Sequence, residues 1–508
     1  MKQFSVFLFV LFFLAHTTIA QEITYAEFNS EDNKDMNFDI LGKMNDGYVI
    51  YKNLKSKHLL AVYDDQMRIK NTINLSFVPS KTFNIDFITY PDHFYMVYQY
   101  EKNRVVYCMG VKIKSDGTKL NEPVQLDTTR ITVYDVNKIY NTIYSQDKKK
   151  ILVYKMHLKR EKLTIATKLF NTDMQMLDST RVVTDFDSRR EIYSDLLVDN
   201  DGNIVFSRGT KGVFRDNIDM LDIICRKPGD RDYKTIAVNL KDNFIEDVKI
   251  KIDNLNKHYI FNTFYYTQQR GNVKGLFTLV MDAVAMDTLK SVFNVLPDSI
   301  RPAINSDGQF RTAFNDLEIQ QVIAKKDGGF ILATEDCSFQ SITNPNDTWN
   351  RMNYPYTSYN GISSDYYYSN PGYGYYRPRS SFSSRQMIRY YNENILILSF
   401  DSNLNILWNN IILKSQSDDD NDNFLSFSTM NVGGEIRFLY NEGNRNSQII
   451  SNQGISPDGQ LKRYPTLKSR QAGYEFMPRL ARQIGYREII VPCVYRNNIA
   501  FAKVVFPE

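Results

Sequence analysis

One pattern governs this sequence: a short apolar run, a polar turn and a second apolar run, repeated from Ile23 to the C-terminus. Gly47-Tyr-Val-Ile-Tyr51 leads to Leu59-Leu-Ala-Val-Tyr63 and the turn Asp64-Asp65-Gln66. Phe94–Tyr98 leads to Val105–Ile113 and Ser115-Asp116-Gly117, and Ile151–Tyr154 to Leu163–Phe170 and Asn171-Thr-Asp173. Asp-Gly pairs begin at Asp46, Asp116, Asp201, Asp307, Asp327 and Asp458. Both residues tolerate positive φ, which a tight antiparallel connection requires. These are strands joined by hairpins.

The repeat has a period. Second-strand ends fall near residues 63, 113, 170, 225 and 281, then 400 and 455, roughly every 50–57 positions once one long insertion is set aside. A lone four-stranded sheet buries too little surface and exposes two edges. Radial stacking buries both faces and shortens the exposed edges. The expectation is therefore an all-β chain folded as a β-propeller of about seven blades of antiparallel strands. Two stacked all-β domains are the other arrangement that fits. Ile23–Phe28 and Ile499–Phe506 are strand-like at the two ends and are placed to share a blade.

The N-terminus reads as a processing signal over residues 1–20. Lys2 precedes the apolar run Phe4–Ala15, and Thr18-Ile-Ala20 fits a small-residue cleavage site before Gln21. No cysteine follows, so a lipid anchor there is not expected. The mature chain is read as a single domain, residues 21–508, exported to the periplasm or cell exterior, with outer-membrane association as an alternative and no transmembrane helix.

The 62 basic and 58 acidic residues nearly balance, which argues against a nucleic-acid partner. Lys148-Lys-Lys150 and Lys159-Arg160 read as solvated hairpin tips. Cys108, Cys225, Cys337 and Cys493 lack paired spacing and read as buried thiols, with disulfide pairing in an exported chain as the alternative; neither they nor the isolated His58, His93, His157 and His258 form a metal or catalytic motif. Asp418-Asp-Asp420-Asn-Asp422 has carboxylates at calcium-like spacing but lacks the turn glycine and distal glutamate of an EF-hand, so it reads as a solvated acidic tip, with calcium as the alternative. Asp199-Asn-Asp201-Gly202-Asn203 is explained by hairpin chemistry. No cofactor is expected.

The insertion is the unusual feature. Residues 341–391 interrupt one blade and are loaded with tyrosine and arginine. Trp349, Tyr366, Tyr367, Tyr368, Tyr373, Tyr375, Tyr376, Arg377 and Arg379 are the candidate binding residues. Such side chains supply contact area and directional hydrogen bonds to a protein, and flat polar-edged rings to a glycan. The functional expectation is a non-catalytic binding or scaffolding protein of the bacterial cell envelope. A hydrolase or lyase acting on glycans is the alternative, distinguished by carboxylates or arginines converging inside the ring.

The stretches Asp327-Gly-Gly-Phe-Ile-Leu-Ala-Thr-Glu335, Tyr390-Tyr-Asn-Glu-Asn-Ile395, Trp408 and Lys414-Ser-Gln-Ser417, with the Tyr-rich insertion between them, resemble a group of uncharacterised exported proteins of Bacteroidota. The resemblance is strongest over Asp327–Asn441. It implies a β-propeller and assigns no site residue.

Overall fold

The computed structural model describes residues 22–27, 29, 31–33, 35–54, 57–132, 139–212, 217–269, 271–297, 300, 317–341, 388–419, 422–442, 449–468 and 473–506. Nearly all regular structure among them is antiparallel strand. The expected hairpins group into eight four-stranded units, named blades 1 to 8 in chain order. Blade 1 is Asn37–Met44, Gly47–Leu54, Lys57–Tyr63 and Ile69–Asn74. Blade 2 spans Thr82–Arg130, blade 3 Tyr140–Asp185, blade 4 Glu191–Val238 and blade 5 Phe244–Val295. Blades 4 and 5 are joined into one sheet by the bridge Ile218–Ile245. Blade 6 is Leu317–Ala324, Phe330–Ser341, Ile388–Phe400 and Ile406–Ile412; blade 7 spans Phe427–Lys468.

Blade 8 is assembled from both chain ends. Tyr474–Phe476, Glu488–Tyr495 and Asn498–Val505 are completed by Glu22–Tyr25, with Ile23 opposite Val504. This composite blade is why the count is eight and not about seven. The repeat anchors at 63 through 455 mark blades 1 to 7. The corresponding point of the eighth is the end of Asn498–Val505, one period beyond 455, and its fourth strand comes from the other end of the chain.

Eight apolar clusters fill the gaps between successive blades and close the ring. Leu41, Val49 and Leu60 of blade 1 meet Phe87, Phe94 and Met96 of blade 2. The alternate residues Ile40, Tyr48 and Ile50 face the other way, onto Ile490, Ile499 and Phe501 of blade 8. Blade 8 packs in turn on blade 7 through Leu439, Ile450, Val491 and Val504. Because both faces of each sheet are covered, the central strands read as unbroken apolar runs such as Tyr48-Val-Ile-Tyr51. Each large side chain so buried contributes roughly 1.5–3 kcal/mol. Fourth strands sit at the rim and alternate in exposure, as Met176–Asp185 does.

Two kinds of turn dominate. At one end of the strands lie tight loops with a left-handed residue before the return strand: Met67 (φ 56), Gly117 (φ 82), Met174 (φ 58), Gly202 (φ 92), Gly328 (φ 80), Leu404 (φ 70) and Gly459 (φ 85). Their first residues cap their own backbone. The Asp401 carboxylate accepts from the amides of Asn403 and Asn405, and Asp64 accepts from Gln66 and Arg68. At the opposite end, two-residue turns carry positive φ at both positions, as at Asn103-Arg104, Arg160-Glu161 and Arg496-Asn497. The chain leaves blade 6 at Ser341 and rejoins it at Ile388 at that opposite end, between paired strands.

Candidate functional site

The first strand of each blade is the innermost, and neighbouring first strands approach one another around the axis. Between them lies a cavity of about 500 Å³. Its walls come from Lys251 and Asp253 of blade 5, Gln321 and Lys325 of blade 6, Asn431 of blade 7 and Arg482 of blade 8, among others. Gln146, Leu255 and Lys326, in the tight turns after the first strands of blades 3, 5 and 6, also line it.

Beside it, the first strands of blades 1, 2, 3 and 8 bring charges together. Arg482 Nη1 donates to the Ile40 carbonyl and lies 3.7 Å from the Asp39 carboxylate. Its Nη2 donates to Thr89 Oγ1 at 3.3 Å. Lys148 Nζ donates to the Thr89 carbonyl at 2.6 Å. Lys148 thus turns inward and is not the solvated tip expected of it; burial first, and then the Arg482 charge, hold its pKa down. Burial pushes the Asp39 carboxyl up to about 6; Arg482 opposes the shift and Asp86 adds to it. The Asp39 side chain keeps 24% of its exposure, and the cost of burying the rest of its carboxylate raises its pKa.

These channel residues were not picked out in the sequence. The signal was present in short mixed strands ahead of each long hairpin, such as Lys249-Ile-Lys-Ile-Asp253 and Ile85-Asp86-Phe87. There apolar residues alternate with charge, because one side meets a neighbouring blade and the other meets the channel.

Of the residues selected in the insertion, Trp349, Tyr366, Tyr367, Tyr368, Tyr373, Tyr375, Tyr376, Arg377 and Arg379 lie outside the described residues. Its C-terminal edge is described and is strand. Arg389 Nε and Nη2 donate to the two Asp419 carboxylate oxygens at 2.7 and 3.2 Å. Tyr390 is buried beside Phe339 and Leu425.

The acidic stretch differs from the expected solvated tip. Asp418 and Asp422 are buried, Asp419 pairs with Arg389, and Asp422 pairs with Arg479. Among the described residues, no three His, Cys, Asp or Glu side chains converge as a metal site. In the Asp199 loop, the carboxylate accepts from the amides of Asp201 and Asn203 and from the Tyr259 hydroxyl, so it serves the hairpin and the core. The four thiols are buried and unpaired with one another. Burial raises the Cys225 thiol to about 11 and pushes those of Cys108 and Cys493 higher still. His58 is satisfied inside blade 1 by the Tyr51 hydroxyl at 2.6 Å and the Pro79 carbonyl at 3.2 Å. No helix of the described residues is long and apolar enough to cross a membrane.

No family model matches the chain, and no curated protein matches it. Among solved structures it is similar to prolyl oligopeptidase B from Galerina marginata, at 9% identity and a TM-score of 0.41, over 92% of this chain and 56% of that one. It is also similar to the polysaccharide lyase Uly1, at 9% identity and a TM-score of 0.38, over 82% of this chain and 89% of that one. The chain spans about half the length of the prolyl oligopeptidase. The β-propeller assignment itself rests on the strand pairing and the closed ring of cores.

Proposed function

We propose that this chain is a non-catalytic binding or scaffolding protein of the cell envelope, exported and engaging a protein or glycan through one propeller face. That face is the one from which the Tyr/Arg segment departs. The observation that supports the reading is the difference between the two ends of the strands. At one end the turn side chains are occupied by their own backbones, as Asp64, Asp401 and Ser456 are. At the other, the two central strands of blade 6 part at Ser341 and resume at Ile388. Tyrosine and arginine concentrate in the intervening sequence, and these residues carry most binding energy at interfaces. Deleting Thr343–Gln386 tests this. The deletion keeps the melting transition and far-ultraviolet circular dichroism of the full chain, and it loses capture of envelope proteins or arrayed glycans. Collapse of the fold, or capture at full strength, overturns the reading.

A second reading, a glycan-active hydrolase or lyase, is supported by Asp39, Asp86 and Arg482 on neighbouring first strands. It requires polysaccharide cleavage that Asp39→Asn and Asp86→Asn abolish.

A further inference from the structure

The axial cavity is unbalanced in charge. Among the described residues, Lys251, Lys325, Lys326 and Arg482 line it, against the carboxylate of Asp253; Arg482 is taken up by Ile40, Thr89 and Asp39, and Lys325 lies 3.7 Å from Asp327, which leaves Lys251 and Lys326. The Asp253 carboxylate is engaged elsewhere: it accepts from the amides of Leu255 and Asn256, each at 3.1 Å, and from the Asn256 side chain at 2.8 Å. The Lys251 ammonium has no hydrogen bond or close ion pair to any described residue and feels Asp253 only at longer range. Burial lowers its pKa, so the ammonium is drawn from water without a counter-charge in contact. On the neighbouring first strand, the Gln321 carbonyl oxygen accepts from Thr429 Oγ1 at 2.7 Å. The Gln321 amide nitrogen has no partner among the described residues. An oxyanion is the complement of this donor set.

Size narrows the ligand further. A volume of about 500 Å³ suits a small organic molecule and far exceeds one inorganic anion. The walls combine amides, such as Gln146 and Asn431, with aliphatic Ile252 and Val322, and among the described residues they contain no aromatic ring. A ring bearing several hydroxyls fits amides better than a stacked base or an acyl chain does.

We infer that the axial cavity binds a carboxylated sugar, its carboxylate on Lys251 and Gln321 and its hydroxyls among the rim amides. This site is separate from the face that carries the Tyr/Arg segment.

Isothermal titration calorimetry of the full chain with D-glucuronate, D-glucose and inorganic phosphate tests it. Glucuronate binds at least about ten-fold more tightly than either of the other two, because only it offers both a charge and a hydroxylated ring. Lys251→Met and Gln321→Leu each weaken glucuronate at least about ten-fold and two-fold respectively. The melting temperature of Lys251→Met is equal to or above that of the parent chain, since a desolvated charge has gone. Gln321→Leu serves as the independent readout if Lys251→Met does not fold. Deleting Thr343–Gln386 leaves glucuronate affinity unchanged, which separates this site from the proposed face. Absence of glucuronate binding, equal binding of glucose or of phosphate, or full affinity in both variants overturns the inference.

Discussion

The Lys414 ammonium lies 2.6 Å from the Glu335 carboxylate, and both side chains are shut off from water. The carboxylate also accepts from Asn392 Nδ2 at 2.8 Å and from Ser426 Oγ at 2.6 Å. Lys414 donates to the Asn392 carbonyl and to Gln416 Oε1, both at 2.9 Å. Gln416 Oε1 accepts in turn from the Ser426 amide, and Ser426 itself sits at φ 65. The connection from blade 6 to blade 7 is thus stitched onto the strands that flank the departure of the Tyr/Arg segment. Widely spaced in sequence, Glu335, Asn392, Lys414 and Gln416 meet in one buried network.

Breaking that pair on one side is the costly change. Lys414→Met leaves the Glu335 charge buried without its counter-ion and lowers unfolding free energy by about 3–5 kcal/mol. Glu335→Gln combined with Lys414→Met loses less than the two single changes added together, because no orphan charge remains. Urea denaturation midpoints of the three variants measure both effects.

Asp39 gives the fold a pH dependence of unusual sign. Burial lifts its carboxyl to about 6, above the value near 3.9 expected in the unfolded chain. The native state therefore holds this proton more tightly than the unfolded state does. The group's contribution is fully present below about pH 4 and is lost as pH rises through about 6. Asp39→Asn removes that slope: the variant matches the parent near pH 4 and exceeds it by about 1–3 kcal/mol at pH 7. Denaturation at the two pH values checks it.

Gly459 and Leu404 occupy the same place in equivalent turns and solve the left-handed requirement differently. Leu404 accepts φ 70 because its side chain is fully buried in the core between blades 5 and 6. Gly459 has no such return, since a β-carbon there would lie 2.7 Å from the Trp408 indole. Gly459→Ala therefore adds left-handed strain to a clash and costs about 1–3 kcal/mol. It also disturbs the hydrogen bond from Trp408 Nε1 to the Pro457 carbonyl, which is 3.0 Å long. Thermal unfolding and tryptophan emission report the two effects.

Closure of the ring depends on the chain's first strand. Removing residues up to Tyr25 exposes the edge of Asn498–Val505 and takes Ile23 and Tyr25 from the core shared by blades 7 and 8. Two large apolar side chains and a strand's worth of pairing go together, a loss of at least about 3 kcal/mol. The truncated chain melts at a lower temperature and self-associates through the open edge, seen by light scattering. Unchanged melting and a monodisperse monomer would contradict closure by this strand.

The strands, the hairpin turns and the repeat are legible without any structure. Those features are local: alternation of apolar residues and Asp-Gly chemistry act within a few residues of one another, so seven blades are legible from seven anchors. That the two terminal strands share a blade was legible too; that this blade is an eighth one was settled only by tertiary structure, where Glu22–Tyr25 pairs with Asn498–Val505 as the ring closes. The channel was decided there as well. Lys251, Gln321, Asp39 and Arg482 are distant in the chain, and the alternation of charge and apolar residues around Lys251 marks a two-sided strand without saying which side meets an axis. They form a site because radial stacking turns the polar side of each first strand toward one axis, where water is scarce and charges without partners become expensive.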